Sequence, residues 1–466
     1  MEEKQNKSEI NFTSEINIAS ENNLTTGSVL KTLLIFVLPY LLSCFMQTFY
    51  GMADLFVVGQ FNGASTTTAV SVGSQVTHML TVIIVGLAMG STVKIGNEVG
   101  KKDYQAVRKT IGTSIWVFGI LAVVLTLVLS IITKPITAVM LTPEQAAKET
   151  IQYLRICFIG IPFIVAYNVI SSIFRGLGDT KHPMYFVGIA CITNILLDFL
   201  FVGYFGLGAS GAALATVLGQ AVSVVSALWM MKKLDVGISV TKKDMVADRD
   251  CVGNIMKVGV PIAMQDGFIQ VSFLVITVLA NHRGLITATS VGIVEKIIGF
   301  LFLVPSSFLS AISTMTAQNM GAKKPERAVQ ALHYGLFITV LWGTLCAAYC
   351  QVTPGSLVHL FSKEAPVIAA GSTYLRAYAF DCIFAAMHFC YSGYFCGCQK
   401  SRLSFLHNII SILLVRIPGA YLASVYFPES LYPMGLAAPI GSLVSAVICV
   451  GFYWNMKSKN YNTKCI

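Results

Sequence analysis

The chain has 466 residues, of which 55% are hydrophobic and only 12% are charged. Soluble globular domains carry about 25% charged residues, so this composition excludes an ordinary soluble protein and indicates a polytopic membrane protein. The formal net charge of +10 could suggest a nucleic-acid partner, but the basic residues are spread through the short connections between apolar segments. We therefore expect the lipid bilayer as a partner, and no nucleic acid.

Twelve apolar segments are each long enough to cross a bilayer. They lie at roughly 30–58, 66–92, 110–133, 152–174, 183–203, 210–231, 254–280, 287–313, 331–352, 371–395, 403–425 and 434–454. The first 28 residues are polar and lack the apolar stretch of a signal peptide. The sequence thus predicts an all-α protein with twelve transmembrane helices.

The basic residues concentrate on the connections of one side, so the positive-inside rule predicts cytoplasmic N and C termini in a cell or plasma membrane. We predict a cytoplasmic N-terminal tail at 1–28, an N-terminal six-helix lobe at 29–231, a cytoplasmic linker at 232–252, a C-terminal six-helix lobe at 253–455 and a cytoplasmic tail at 456–466. The chain is expected to act as a monomer.

The two halves of the chain repeat each other at an offset of 221 residues. The matching pairs are Gly100-Lys101-Lys102 with Gly321-Ala322-Lys323-Lys324, Tyr153-Leu154-Arg155 with Tyr374-Leu375-Arg376, and Gly176 and Lys181 with Gly397 and Arg402. Several matches at one offset indicate an internal duplication. Six spans return the chain to its starting side, so we expect two pseudo-symmetric lobes in the parallel-repeat layout of secondary transporters, with a central cavity.

Four motifs point to one family. They are a P-x-x-L run at Pro39 followed by MADLFVVG at 52–59, N-x-x-G-x-x-D at 97–103, R-G-x-G-D-T-K-x-P at 175–183 and N-x-x-L-D at 194–198. With them the chain resembles the multidrug and toxic compound extrusion (MATE) family over about residues 28 to 455. The resemblance implies a twelve-helix antiporter that expels amphipathic, often cationic compounds against an inward flow of H⁺ or Na⁺.

Asp54, Asn194 and Asp198 form the leading candidate site. A carboxylate inside a span costs at least about 2.5 kcal/mol by insertion scales, so intramembrane acids usually have a function. Asn194 and Asp198 are four apart and share a helix face. Measured from the cytoplasmic start of each span, Asp54 lies about 35 Å along its helix and Asp198 about 23 Å along its own. Both residues are therefore expected in the outer half of the membrane. The three side chains could hold a proton or supply oxygen ligands to Na⁺; alternatively, Asp54 only locks helix packing.

In the MATE family, the residues that match these three belong to the cation-coupling site, so the resemblance implies the same role here. At the repeat offset, to within one residue, Asp54 falls opposite Ile276 and Asp198 opposite Gly419. The C-terminal lobe has therefore not kept this site.

The C-terminal lobe has charged candidates of its own, Asp266, Glu295 and Asp381, each about 9 to 12 residues into its span. They loosely resemble a second cation site that some MATE proteins have. The alternative is an internal ion-pair network in which Lys296, Arg416 and His388 neutralise the acids. Glu295 and Asp381 are the favoured pair for a functional role.

Amide, aromatic and aliphatic residues on two of the spans suit a cavity for varied amphipathic cations, because binding would rest on contact area and cation–π attraction. The candidates are Gln47, Tyr50, Gln265, Phe268, Ile269 and Ser272. The alternative for each of these residues, considered individually, is that its side chain only packs against a neighbouring helix.

No ATP-binding loop and no hydrolase or metalloprotease motif is present in the sequence. We therefore predict that the chain is not an enzyme, that it holds no cofactor or structural metal, and that an ion gradient drives it. The rival function is a lipid-linked oligosaccharide flippase of related architecture, which would need basic residues in the cavity to hold a pyrophosphate. Lys94, Lys296 and Arg416 are the basic residues that we consider for this role.

Overall fold

The structure is a computed structural model that describes residues 23–140, 142–233 and 247–463. Within these ranges the secondary structure consists of eighteen α-helices and two π-helical turns. The first half contains α1 Val29–Phe61, α2 Ala64–Lys101, α3 Tyr104–Ile131, α4 Thr133–Val139, α5 Glu144–Ile159, α6 Ile161–Leu177, α7 Lys181–Asp198, the π-helical turn Phe199–Tyr204 and α8 Gly208–Lys233.

The second half follows a similar order, except that two helices stand in the place of α2 and an additional helix follows the π-helical turn. It contains α9 Arg249–His282, α10 Leu285–Leu301, α11 Leu303–Gly321, α12 Pro325–Val352, α13 Pro354–His359, α14 Ala365–Tyr378, α15 Asp381–Gly397, α16 Ser401–Ser411, the π-helical turn Ile412–Arg416, α17 Ile417–Tyr426 and α18 Tyr432–Thr463.

Ten helical segments of the described residues are long and apolar enough to span a membrane, and the bent pair α5–α6 brings the number to eleven. The remaining predicted span, 371–395, falls on the pair α14–α15, which occupies the place in the second half that α5–α6 has in the first. Most of the predicted N-terminal tail and of the linker at 232–252 lies outside the described residues.

The polar groups of the spans are largely satisfied inside their own helices. Water is absent from the hydrocarbon core, so a helix is favoured because it pairs its own N–H and C=O groups. Hydroxyl side chains also bond to the preceding turn: Ser43 donates to the carbonyl of Pro39 at 2.9 Å and Thr77 to that of Gly73 at 2.9 Å. These two hydroxyls therefore need no partner on a neighbouring helix.

The chain forms two compact units, one built on Leu34–Gly259 and the other on Val260 onward together with Ser28–Leu33. The core of the first unit is formed by residues such as Tyr153, Phe158 and Ile173. The core of the second contains Tyr374, Tyr378 and Ala420 among others. Many large apolar side chains outside these cores are exposed, as expected of helices that face lipid.

Unusual backbone conformations recur at the offset of 221 residues. Lys102 has φ 60° after α2, and Lys323 has φ 58° after α11. Likewise, Gly178 has φ 96° after α6, and Gln399 has φ 59° after α15. Residues other than glycine seldom adopt this left-handed backbone conformation. Its recurrence at both pairs shows that the two units close these helices with the same local geometry.

Each unit also contains the same close helix contact. A Cβ atom on Gly176 of α6 would lie 3.0 Å from the carbonyl oxygen of Thr92 on α2. A Cβ atom on Gly397 of α15 would lie 2.5 Å from the carbonyl oxygen of Ser313 on α11. Small residues let helix backbones approach in this way. The pair α2–α6 in the first unit therefore has its counterpart in the pair α11–α15 in the second.

Candidate functional site

Asp54 lies on α1 in the interior of the first unit, with 2% of its surface exposed. Its carboxylate lies within interaction range of the side chains of Asp198 and Asn194 on α7. These two residues are 0% and 1% exposed, respectively. Helices α1 and α7 thus bring together the three residues of the leading candidate site that was predicted from the sequence.

The local structure of α7 places Asp198 at a break in helical regularity. Asp198 ends the α-helix, and the π-helical turn Phe199–Tyr204 begins at the next residue. Such turns insert an extra residue into the helix and occur frequently at functional sites. Asn194 lies one turn before Asp198, so both side chains point to the same face of α7.

Helix α8 completes the site from a third side. The Thr216 hydroxyl donates to Oδ2 of Asp54 at 3.0 Å, and the Gln220 amide, one turn later, donates to the Tyr50 hydroxyl at 3.4 Å. Gly219 permits this approach, because a Cβ atom there would lie 3.2 Å from Cβ of Asn194. Thr216 and Gln220 were not predicted as site residues from the sequence, although two polar residues four apart on an apolar helix are a usable signal.

Tyr153 and Cys157 of α5 line the same region and interact electrostatically with Asp54. Tyr153 is 1% exposed, and its ring packs on Gly73, where a Cβ atom would lie 2.2 Å from Cδ1. In the sequence, Tyr153 stands out only as one of the residues that repeat between the two halves. In the structure its phenol ring lies near the Asp54 carboxylate.

The site contains more hydrogen-bonding atoms than the surrounding protein satisfies. Oδ1 of Asp54, both amide atoms of Asn194 and both carboxylate oxygens of Asp198 form no hydrogen bond of standard geometry with the described residues, although Asp54 is close enough to Asn194 and Asp198 to interact with both. Nearly all buried polar groups in proteins are paired, so a cluster of five unpartnered atoms needs an explanation. Four of the five are oxygens, which suit a bound proton or a hard monovalent cation. No cluster of three or more His, Cys, Asp or Glu residues suited to a metal occurs in the described part of the chain.

In the second unit, two of the three acids lie around one arginine. Arg416, 8% exposed, interacts electrostatically with Glu295 and with Asp381. Its guanidinium lies 4.7 Å from the ring centroid of Phe273, and it donates a hydrogen bond to the Tyr378 hydroxyl. Both oxygens of Asp381 lack a hydrogen-bond partner among the described side chains and backbone. This geometry fits the alternative of an internal charge network.

Asp266 does not belong to that group. It is half-buried and interacts with Cys396 rather than with Arg416. Lys296 is exposed. His388, 7% exposed, lies against His407, with 5.7 Å between the ring centroids. Of the three cationic residues that could neutralise the acids, Arg416 is therefore the one that interacts electrostatically with both Glu295 and Asp381.

The six cavity candidates lie in different environments. In the first unit, Gln47 is exposed and Tyr50 is half-buried. In the second unit, Gln265 and Ser272 are buried, each with a side-chain oxygen unpartnered among the described residues. Phe268 and Ile269 are half-buried, and the ring of Phe268 lies 6.2 Å from that of Phe405. Each unit thus contributes amide and apolar groups of the kind that the cavity hypothesis requires.

Comparison with known proteins identifies the family. The family model MatE matches two segments of the chain, 39–200 and 261–422. These two segments begin 222 residues apart, one more than the offset seen between the sequence repeats.

The chain is similar over nearly its full length to individual members. It is 24% identical to a protein named probable multidrug resistance protein YoeA from Bacillus subtilis, over 94% of this chain and 96% of that protein. It is 23% identical to a protein named FAD transporter from Shewanella oneidensis, over 90% of this chain and 93% of that protein. A solved structure of a MOP superfamily transporter from Pyrococcus furiosus is 23% identical and superposes with a TM-score of 0.87, over 94% of this chain and 97% of that one.

These matches cover the membrane helices of both halves, and the families concerned contain transporters rather than enzymes. The multi-pass helical architecture and the prediction that the chain is not an enzyme are therefore confirmed. The chain belongs to the MATE family of membrane transporters.

Proposed function

We propose that this protein is a secondary active antiporter that exchanges inward-moving H⁺ or Na⁺ for an amphipathic, often cationic compound. One observation carries the proposal: the Asp54, Asn194 and Asp198 side chains meet in the interior of the first unit with five unpartnered polar atoms. A transporter of this family needs a site where an ion binds in one conformation and leaves in another. The relative YoeA is named a probable multidrug resistance protein, and this supports export of several compounds.

The coupling mechanism follows from differential binding. A ligand shifts a conformational equilibrium only if it binds the two states with different affinity. An ion at Asp54 and Asp198 would satisfy the unpartnered oxygens in one state, whereas the substrate would favour the other. Because the carboxylates are adjacent, they exchange protons as a pair rather than singly.

We place the N and C termini on the cytoplasmic side, because the basic residues of the sequence concentrate on the connections of that side. With this orientation, export of the substrate is coupled to inward movement of the ion.

The alternative function, a lipid-linked oligosaccharide flippase, is less well supported. It would need basic residues that together hold a pyrophosphate, and the candidates were Lys94, Lys296 and Arg416. Lys94 forms an ion pair with Glu98 at 2.7 Å, and Arg416 interacts electrostatically with Glu295 and Asp381. Lys296 is exposed. The three thus do not form one basic cluster that would hold a pyrophosphate.

The test is transport in proteoliposomes with a proton gradient and a sodium gradient imposed separately. A lipophilic dye cation such as ethidium and a flavin nucleotide serve as substrates, because one relative, 24% identical, is named for multidrug resistance and another, 23% identical, for FAD transport. We expect one gradient to drive export of the dye in the wild type. Asp54→Asn and Asp198→Asn should bind the dye in detergent but lose gradient-driven export. Export driven by neither gradient would contradict antiport, and wild-type export by Asp54→Asn would move coupling to Glu295 and Asp381.

A further inference from the structure

Arg175 is a buried cation that the coupling site does not use. It lies in the last turn of α6, with 4% of its surface exposed. Its Nε and Nη2 atoms have no hydrogen-bond partner among the described residues. The sequence places this residue in a connection, where it counts only as one of the basic residues of the cytoplasmic side. In the structure, Arg175 is instead buried inside the first unit.

The surroundings of Arg175 are polar and aromatic. Its guanidinium lies 5.4 Å from the ring centroid of Tyr40 on α1. Ser171 and Tyr167 precede it at intervals of four on the same face of α6. The Ser171 hydroxyl is 1% exposed and lies one helical turn before the guanidinium. Tyr167 interacts with both Ser171 and Gln47 of α1.

The nearby acids are engaged elsewhere. Asp179, four residues after Arg175, accepts hydrogen bonds from the backbone N–H groups of Lys181 and His182 at 2.9 and 3.2 Å. Its other oxygen contacts the His182 ring. Glu98 on α2 pairs with Lys94 and accepts a hydrogen bond from Thr110. Within the described ranges no carboxylate lies within 4.0 Å of the Arg175 guanidinium.

A buried charge without a partner is strongly unfavourable, so buried charges in proteins are normally paired. A guanidinium presents its N–H groups as a planar fork that matches the oxygens of a phosphate or a carboxylate. The unpartnered Nε and Nη2 atoms of Arg175, together with the Ser171 hydroxyl, are donors of the kind that such an oxyanion requires. Tyr40 is half-buried and Gln47 exposed, so the site has an approach along α1.

We propose that Arg175, with Ser171 and Tyr40, forms a binding site for an oxyanion group, a phosphate or a carboxylate. Tyr40 precedes Asp54 by fourteen residues on the same helix, so the anion site lies about 20 Å along α1 from the carboxylates. The first unit would then recognise a negative group at one end of α1 and a positive ion at the other. This anion site is independent of the proposed antiport. It is tested by a binding measurement and does not require a transport assay.

The test is binding of inorganic phosphate to the purified full-length protein in an uncharged detergent, by calorimetry and by the shift in Tm. Chloride at equal ionic strength controls for general screening. We expect phosphate to bind the wild type and Arg175→Gln to weaken binding at least about tenfold, the effect of losing roughly one charge-assisted hydrogen bond. Arg175→Lys should retain part of the affinity, because it keeps the charge but loses the planar fork.

The matched control is Lys181→Gln, which removes the same charge from an exposed position six residues away. Phosphate should bind this variant as it binds the wild type. If Arg175→Gln does not fold, Ser171→Ala, which leaves the guanidinium in place, should weaken binding several-fold. Absence of phosphate binding to the wild type, or equal losses in Lys181→Gln and Arg175→Gln, would overturn the proposal.

Two sources of the oxyanion are separated by the same measurement in nanodiscs. If a phospholipid head group is the occupant, discs of phosphatidylglycerol should suppress phosphate binding relative to discs of phosphatidylcholine, and Arg175→Gln should abolish this difference. If a soluble organic anion is the occupant, phosphate should bind in both lipids, and citrate should compete with it in the wild type.

Discussion

The Thr216 hydroxyl donates a 3.0 Å hydrogen bond to the Asp54 carboxylate, although the two residues are 162 positions apart in sequence. This contact fixes one oxygen of Asp54 and leaves the other facing Asn194 and Asp198. The hydroxyl therefore orients the carboxylate that we propose as the coupling group.

Replacing Thr216 by valine should lower ion-driven export by about tenfold or more, because a hydrogen bond to a charged group contributes about 1.5–3 kcal/mol. Thr216→Ser keeps the hydroxyl and should retain most of the activity. The measurement is initial export rate against ion concentration in proteoliposomes, with protein insertion checked by size-exclusion chromatography. A valine variant with the ion dependence of the wild type would remove Thr216 from the site.

The double variant Asp54→Asn with Asp198→Asn should be little worse than either single variant in gradient-driven export. Groups that act as a unit show strongly non-additive effects, and these two carboxylates share one site. A double-mutant cycle on export rates provides the measurement. Independent losses that multiply would mean that the two carboxylates act at separate steps.

Gly90→Ala should lower the Tm and the yield of folded protein. A Cβ atom at this position of α2 would lie 2.2 Å from the carbonyl oxygen of Ile255 and 3.0 Å from the backbone nitrogen of Gly259, both on the first part of α9. Backbone atoms do not yield as a flexible side chain does, so we expect a loss of about 1–3 kcal/mol. The control is Gly119→Ala on α3, where a Cβ atom would meet nothing within 4 Å. Equal Tm values for both variants would refute the contact.

Arg416→Gln should be strongly destabilising, by about 3–5 kcal/mol, because it leaves the buried Asp381 and the half-buried Glu295 without their counter-charge. Adding Asp381→Asn to it should restore part of the lost stability, since one uncompensated charge is removed with it. Thermal unfolding followed by a thiol-reactive dye would measure both effects, given the buried cysteines nearby. A single variant as stable as the wild type would show that Arg416 does not balance Glu295 and Asp381.

The ion pair between Lys109 and Asp248 should have no part in the pH dependence of transport. The hydrogen bond from Lys109, at 2.8 Å, lowers the pKa of the Asp248 carboxyl to about 2. A folded-state pKa below the unfolded value of about 3.9 stabilises the protein above that value, and the contribution is lost only as the pH falls towards 2. Asp248→Asn should therefore leave the shape of the export profile between pH 5.5 and 8 unchanged; an altered midpoint in this range would contradict the assignment.

Much of the architecture was accessible from the sequence. A long run of apolar residues identifies a membrane helix because the cost of burying each residue in lipid adds up along the chain. The duplication was visible because its glycines and basic residues sit at positions where both units make the same turn or the same close helix contact, as at Gly176 and Gly397. Asp54 and Asp198 could be selected because an acid in such a run is costly.

Only the tertiary structure decided which side chains meet. Hydropathy reports how deeply a segment partitions into lipid but not how each helix is rotated, and rotation determines which face meets a neighbour. For this reason Thr216 appeared in sequence as an ordinary helix residue, Asp266 as a companion of Glu295, and Arg175 as a surface charge. The packing of α1 against α6, α7 and α8 brings Thr216 to Asp54 and buries Arg175 beside Tyr40, because contacts between residues more than a hundred positions apart depend on helix packing that no local pattern encodes.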